Sequence, residues 1–366
     1  MKHAKIIAFY LPQFHPFKEN DEWWGKGFTE WTNVGKAKPL FKGHNQPRVP
    51  TELGYYDLRL PIVREQQATM AREAGVDAFC YWHYWFGNGK RLIADIFDDV
   101  LQSGKPDFPF CLGWANHSWY AKNWNANGTA EQRVLIEQTY PGIEDEKMHF
   151  NYLLKAFKDE RYVKINGKPL LYIFDAVSIP EKYIRDFKEW ILREGFPGLY
   201  LVANITLAKI SKEDMFMKGF DAVTFQRLGG TTSVFLRKLD DTGRKLSKLF
   251  KMIKGKLLHR PPFETDYANY YRYLFTEEDK DEKVIPSLVP QWDHTPRSGW
   301  NGSFFVNATP ENFYKHAKEV LEEVEKKDNK LVFLKSWNEW GEGNMMEPDL
   351  TYGRGFIEAL SKAKSE

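Results

Sequence analysis

Two glutamates three residues apart, Glu339 and Glu342, are the side chains of this sequence best placed to do chemistry. They lie in the segment Trp337-Asn338-Glu339-Trp340-Gly341-Glu342-Gly343. Glycoside chemistry uses two carboxyl groups in different surroundings, one held protonated as an acid and one ionised as a base or nucleophile. The tryptophans would supply an apolar wall, and the glycines would let the backbone pass close to a ligand. This neighbourhood favours a catalytic pair over a solvated acidic loop.

The elements that must position this pair are eight short apolar runs, which alternate with helical patterns. The runs are residues 5–10, 76–82, 108–114, 169–174, 199–203, 222–225, 284–289 and 330–335. Continuous apolar strands of this kind are typical of buried parallel sheet. We therefore predict an α/β fold, a (β/α)8 TIM barrel with its functional face at the carboxyl ends of the strands. An open doubly wound sheet is the alternative, although no Gly-x-Gly-x-x-Gly follows the first strand.

Length and composition set the organisation of the chain. The 366 residues are 42% hydrophobic and 28% charged, which excludes disordered, collagen-like and coiled-coil proteins. Two stretches exceed a minimal barrel: residues 12–57 after the first strand, and residues 229–283 between strands six and seven. Because no internal repeat and no flexible linker is visible, we predict one domain over residues 1–366 with these two insertions.

Tryptophan is concentrated on the predicted functional face. Of the 13 tryptophans, all but Trp190 fall at predicted strand ends or in the loops that follow them. Broad indole faces with an N–H at the edge suit sugars. Single-stranded nucleic acid also stacks on aromatic platforms, but it needs a basic groove beside them. The loops mix charges and the net charge is only +2, so we expect no nucleic-acid partner.

Aromatic and polar side chains near the predicted strand ends complete the candidate substrate-binding set. They are Tyr10, Gln13, His15, Trp31, Trp82, His83, Trp85, Trp114, Asn116, His117, Trp119, Asp175, Gln226, Gln291, Trp292, Asn338, Trp340 and Glu347. Hydrogen bonds to sugar hydroxyls are the expected role of the polar members, and capping or packing is the alternative for each. No His-Glu-x-x-His motif occurs, and two cysteines form no zinc set, so we expect no metal and no cofactor.

The segment 337–343, followed by Glu347-Pro348, resembles the signature of glycoside hydrolase family 99. It is more similar still to the bacterial glycosyltransferase WbsX family of polysaccharide gene clusters. Matches at residues 8–16, 25–31, 74–77 and 168–175 extend the resemblance over nearly the whole chain. It implies a (β/α)8 barrel that acts on α-mannoside-type or related linkages, with retention through the substrate's own 2-hydroxyl. In that scheme Glu339 would be the base for this hydroxyl, and Glu342 the acid and then the base for the acceptor.

The leading interpretation is a carbohydrate-active enzyme of bacterial surface polysaccharide or lipopolysaccharide metabolism, with a glycan as its substrate. Whether it hydrolyses or transfers is open, because the carboxylate pair is of hydrolase type while the missing export signal favours glycan assembly. A non-catalytic glycan-binding barrel is the alternative. We expect a cytoplasmic protein.

A basic amphipathic segment, residues 237–260, lies in the second insertion. Its cations are Arg237, Lys238, Arg244, Lys245, Lys248, Lys251, Lys254, Lys256 and Arg260, against Asp240 and Asp241. Five apolar residues share one helical face: Leu246, Leu249, Phe250, Ile253 and Leu257. Such a helix suits the inner face of an anionic membrane, and therefore a lipid-linked glycan. An ordinary helix packed on the barrel is the alternative.

Overall fold

Eight parallel strands form a barrel in the computed structural model, which describes residues 3–124, 130–206, 210–228 and 241–366. The strands are β1 (Lys5–Tyr10), β2 (Ala78–Trp85), β3 (Phe110–Trp114), β4 (Lys168–Ile173), β5 (Tyr200–Ile205), β6 (Ala222–Phe225), β7 (Ser287–Leu288) and β8 (Leu331–Leu334). They pair in the order β6-β5-β4-β3-β2-β1-β8-β7. A parallel bridge between Val223 and Val284 then joins β6 to the segment that leads into β7. The predicted (β/α)8 barrel is confirmed.

Strands β7 and β2 depart most from the bounds that the sequence predicts. Strand β7 contains only two residues, because Pro286 and Pro290 flank it and proline has no N–H to donate to a ladder. Strand β2 runs to Trp85, three residues beyond its predicted end, and pairs there with the short strand Arg91–Leu92.

Side chains alternate along the barrel strands between the barrel interior and the surrounding helices. Phe9 points inward, where its ring stacks on Trp82 with centroids 4.8 Å apart and lies 5.1 Å from Phe333. Its neighbour Tyr10 points outward and donates a hydrogen bond to Gln67. This period of two decides which residues at the strand ends can reach the functional face.

Helices surround the strands and fill the insertions. They are α1 (Lys18–Trp24), α2 (Glu30–Gly35), α3 (Pro61–Glu73), α4 (Asp95–Ser103), α5 (Ile143–Phe157), α6 (Glu181–Arg193), α7 (Lys212–Lys218), α8 (Asp241–Leu258), α9 (Tyr267–Tyr270), α10 (Thr295–Ser298), α11 (Pro310–Val324) and α12 (Gly355–Ser365). Local signals explain several ends: α3 and α11 begin at proline, and Gly104 after α4 has a φ of 70°.

The insertions lie on the carboxyl side of the strands that precede them. The first holds α1 and α2, and Thr29 caps α2 by accepting a hydrogen bond from the Trp31 backbone. The second holds α8, on which Leu246, Leu249, Phe250, Ile253 and Leu257 are exposed. Residues 229–240 of this insertion lie outside the described residues. None of the described helices is long and apolar enough to cross a lipid bilayer.

Candidate active site

Glu339 and Glu342 lie on a tight hairpin beyond the end of β8. The strand Asn338–Glu339 pairs antiparallel with Asn344–Met345, and a single 3-10 turn, Trp340–Glu342, joins them. Gly343 follows the turn with a φ of 53°, a conformation that few residues other than glycine adopt. The hairpin thus fixes the direction of both carboxyl groups through the backbone.

Hydrogen bonds fix the hairpin to the top of the barrel. Asn338 binds the backbone of Leu11 twice: its Oδ1 accepts from the Leu11 N–H at 2.8 Å, and its Nδ2 donates to the carbonyl at 3.0 Å. The hydroxyl of Ser336 accepts from the Glu339 N–H at 3.1 Å. The Asp293 N–H donates to the Glu342 carbonyl at 2.7 Å. The two glutamates therefore sit on a rigid support.

A third carboxyl, Glu347, supports the hairpin from behind. It is buried and accepts hydrogen bonds from Trp340 Nε1 at 2.6 Å, Gln67 Nε2 at 2.6 Å and the Tyr56 hydroxyl at 2.8 Å. Burial raises the pKa of Glu347 to about 7, against the opposing effect of these hydrogen bonds. Its contacts make it an anchor for the indole of Trp340.

Arg297, from α10, contacts three carboxyl groups at once. Its Nη1 lies 2.7 Å from Glu342 Oε1, and its Nη2 lies 2.9 Å from Glu30 Oε2 and 3.6 Å from Glu339 Oε2. Glu30 is buried at the start of α2 in the first insertion. A side chain on Gly341 would collide with the Glu30 carboxylate. Glycine at position 341 therefore leaves room for the Glu30–Arg297 pair between the two candidate catalytic residues.

The two hairpin carboxyl groups have opposite pKa shifts. Burial, with the negative charge of Glu342, raises the pKa of Glu339 to about 7. Burial also acts to raise the pKa of Glu342, but the charges of Arg297, Lys335 and His294 outweigh it, and that pKa lies below its usual value. At neutral pH Glu342 is therefore ionised and Glu339 partly protonated.

A cavity of about 790 Å³ opens above the hairpin. Eight of the residues predicted from the sequence line it: Gln13, Trp82, His117, Trp119, Gln226, Trp292, Glu339 and Glu342. Sequence reasoning missed other lining residues, among them Asn20, Trp24, Glu30, Tyr84, Arg297 and Lys335. Two of these had a signal in the sequence: Trp24 is one of the tryptophans on the predicted functional face, and Glu30 belongs to the segment 25–31 that carries the family resemblance.

Twelve predicted residues do not line the cavity: Tyr10, His15, Trp31, His83, Trp85, Trp114, Asn116, Asp175, Gln291, Asn338, Trp340 and Glu347. Strand alternation is one reason, since Trp82 and Tyr84 face the cavity while His83 and Trp85 face the helices. Other residues of this set fix loops behind the residues that line the cavity. Gln291, for example, donates a hydrogen bond from its side-chain amide to the Met345 carbonyl. Direct contact of these twelve with substrate stays a prediction that the geometry does not favour.

Several of these twelve residues have defined hydrogen-bond partners, whereas neither ring nitrogen of the buried His15 has one among the described residues. Trp85 Nε1 donates to Asp145, Trp114 Nε1 to the Trp85 carbonyl, and Trp31 Nε1 to the Tyr56 carbonyl. Asn116 bridges to Asp175, donating to its carbonyl and accepting from its N–H, both at 2.8 Å.

Several polar groups of the cavity are available to a ligand. The side-chain amide of Asn20 is fully buried and has no hydrogen-bond partner among the described residues, and the same holds for Nδ1 of His117. Indole rings of Trp82, Trp119 and Trp292 line the same cavity. Buried polar atoms beside aromatic faces match a ligand that carries hydroxyl groups on an apolar ring. In the described part of the chain, no group of three His, Cys, Asp or Glu side chains is placed to hold a metal ion.

Solved structures with a similar fold include glycoside hydrolases. An endo-alpha-mannosidase of glycoside hydrolase family 99 from Bacteroides thetaiotaomicron, in complex with bis-tris-propane, has a TM-score of 0.59 and 16% identity. The comparison covers 100% of this chain and 96% of that one. A glycoside hydrolase-like protein has a TM-score of 0.58, also at 16% identity, over 100% of this chain and 94% of that one.

Protein WxcX of Xanthomonas campestris pv. campestris is 31% identical to this chain over 368 residues. The match covers 98% of this chain but 49% of WxcX, so the chain spans about half the length of this curated relative. The model of the Glycosyltransferase WbsX family matches residues 6–360. The chain therefore belongs to the Glycosyltransferase WbsX family.

Proposed function

We propose that this chain, a carbohydrate-active enzyme by its family, cleaves or transfers α-mannoside-type linkages in bacterial surface polysaccharide or lipopolysaccharide metabolism. One observation carries the proposal: Glu339 and Glu342 line the same cavity with opposite pKa shifts. A pair of carboxyl groups in which one is protonated while the other is ionised is what glycosidic bond cleavage requires.

The reaction follows from these two groups. One carboxylate takes the proton of the sugar 2-hydroxyl, and that oxygen attacks the anomeric carbon as the glycosidic bond breaks. The other carboxyl donates its proton to the leaving oxygen. In the second step the second residue, now ionised, takes a proton from water or from an acceptor sugar. This oxygen opens the strained ring, and the first residue returns its proton to the 2-oxygen.

The resemblance to family 99 assigns the base to Glu339 and the acid to Glu342. In the structure the proton is favoured on Glu339 instead, because Arg297 lies 2.7 Å from Glu342 and keeps it ionised. The family roles therefore require that a bound glycan separates Arg297 from Glu342. The reversed assignment, with Glu339 as the acid, requires no such movement, and the pKa values favour it.

Cavity residues supply the binding contacts. We propose that the tryptophans stack on sugar rings while Asn20, His117 and Gln226 bind hydroxyl groups. Support comes from the buried, unpartnered polar atoms of Asn20 and His117 beside those rings. We further propose a cytoplasmic location and a lipid-linked glycan as the natural substrate.

The role of each glutamate can be tested with aryl glycosides whose leaving groups differ in acidity. We would measure kcat/KM for the Glu339→Gln and Glu342→Gln variants, with Glu311→Gln on the surface of α11 as the matched control. The variant that lacks the acid loses about 10²- to 10⁴-fold with a poor leaving group and little with a good one. The variant that lacks the base loses activity with both. Near-wild-type rates in both variants would overturn the proposal.

A further inference from the structure

We propose that helix α8, Asp241–Leu258, is a docking surface for an anionic lipid bilayer. This proposal does not depend on the chemistry at Glu339 and Glu342, and it concerns a part of the chain that lies outside the candidate active site.

A continuous apolar row lies exposed along α8. Leu246, Leu249, Phe250, Ile253 and Leu257 follow one another at the spacing of a single helix face. Phe250 is 70% exposed and Leu257 is 75% exposed, and the other three are also exposed. Soluble proteins seldom leave such a row in water, since each large apolar side chain gains free energy when it leaves water. None of the other described residues covers this row, so it is open to a partner.

The opposite side of α8 faces the protein. Gly255 is buried, and a side chain there would meet the Arg260 carbonyl and Pro262. Burial lowers the pKa of Lys251, which lies one turn before Gly255. The helix thus contacts its own chain near Gly255 and directs its large apolar residues outward.

The positive charge of α8 indicates which kind of partner the apolar row would contact. Between residues 244 and 256 the sequence has six cations and no acidic residue, although the whole chain has a net charge of only +2. At helical spacing Lys245, Lys254 and Lys256 flank the apolar row, so an anionic bilayer attracts these cations and accepts the row at the same time. A second copy of the chain fits poorly, because packing α8 against itself would bring twelve cations together.

Contacts link the end of α8 to the candidate active site. Just after the helix, the guanidinium of Arg260 lies 4.2 Å from the ring centroid of Phe41, which stacks on His44. Nε2 of His44 lies 2.9 Å from Asp293, whose N–H binds the Glu342 carbonyl. These contacts connect the end of α8 to the hairpin that bears Glu342, which suits a glycan carried on a lipid.

Co-sedimentation with vesicles tests the proposal on the full chain. We would compare phosphatidylcholine vesicles with vesicles that also contain phosphatidylglycerol, at low and high salt. We expect binding to the anionic vesicles, weakened by salt. A Phe250→Ser/Leu257→Ser variant should bind at least about tenfold more weakly. A Lys245→Gln/Lys254→Gln variant should lose about fivefold for each cation removed. Met217→Ser is the matched control, because Met217 is 80% exposed on another helix.

Two results would overturn the proposal. One is equal sedimentation of the wild type with anionic and neutral vesicles, or with neither. The other is a dimer in sedimentation velocity that the Phe250→Ser/Leu257→Ser variant abolishes, without any vesicle binding by the wild type. That outcome would make the apolar row a contact between copies. Circular dichroism of each variant would verify that the fold is retained.

Discussion

The Arg297 guanidinium lies 2.7 Å from the Glu342 carboxylate and keeps that group ionised in a buried position. Without the charge of Arg297, burial would raise the pKa of both hairpin glutamates. Arg297 is itself held by Glu30, whose Oε2 lies 2.9 Å from its Nη2. A residue of the first insertion thus helps to set the charges on the hairpin after the last strand.

Replacing Arg297 with methionine should raise the pKa of Glu342 and of Glu339, because the positive charge lowers both values. The direction of both pKa changes can be measured by NMR titration of ¹³C-labelled glutamate carboxyl groups, which needs no substrate. Arg59→Met is the matched control, since Arg59 forms an exposed pair with Asp57. Unchanged titration of both hairpin glutamates in the Arg297→Met variant would refute the role given to this cation.

Gly341→Ala should destabilise the protein by about 1–3 kcal/mol, because the new methyl group collides with the Glu30 carboxylate. In a protein that already carries Glu30→Ala, adding Gly341→Ala should cause little further loss of stability, because the Glu30 carboxylate is no longer in the way. Urea unfolding of the two single variants and the double variant measures this coupling. Gly35→Ala serves as the control, because a β-carbon at Gly35 has no neighbour within 4 Å. Additive effects of the two substitutions would count against the packing described here.

Ionisation of the buried Glu347 should lower the free energy of unfolding as the pH rises. Its pKa is about 7 in the folded chain, above the ordinary 4.5, so its contribution is full below pH 4.5 and is lost as the pH passes through 7. The loss is about 3 kcal/mol, taking 1.36 kcal/mol for each unit of pKa.

Glu347→Gln removes this titration. The difference in unfolding free energy between wild type and variant should therefore change by about that amount between pH 4.5 and pH 8. Glu358→Gln, an exposed position on α12, is the control. Parallel pH profiles for wild type and Glu347→Gln would mean that Glu347 titrates as an ordinary glutamate.

Trp24 and Trp300 form a matched pair for testing the cavity as a glycan site. Both are partly exposed, at 46% and 38%, but only Trp24 lines the cavity. Trp24→Ala should weaken binding of a cognate glycan by about tenfold, because the ring loses its contact with the sugar. Trp300→Ala should leave binding unchanged. Isothermal titration calorimetry measures both, and equal losses would place the glycan elsewhere.

Much of the barrel could be predicted from the sequence, because parallel strands buried on both faces appear as unbroken apolar runs. Seven of the eight runs match strands of four residues or more. In the remaining run, residues 284–289, the prolines on either side limit the strand to Ser287 and Leu288. The hairpin that bears Glu339 could also be located, because it directly follows an apolar run.

The direction of individual side chains could not be predicted. A shift of one residue along a strand moves a side chain from the cavity to the helix layer, which separates Trp82 from His83. Arg297 is 45 residues from Glu342 and 267 from Glu30, and its own segment, Thr295–Ser298, has no motif. Only the fold brings these three residues together.

The most direct test of the central claim is product analysis in water enriched in heavy oxygen. Wild type and Glu342→Gln would be incubated with α-manno-oligosaccharides and bacterial surface glycans, and the products identified by mass spectrometry. We expect either cleaved products that carry the label, which means hydrolysis, or lengthened products without it, which means transfer. Either should be lost in the variant. Glycans that bind but remain unchanged across a broad panel would contradict the claim and favour a glycan-binding barrel.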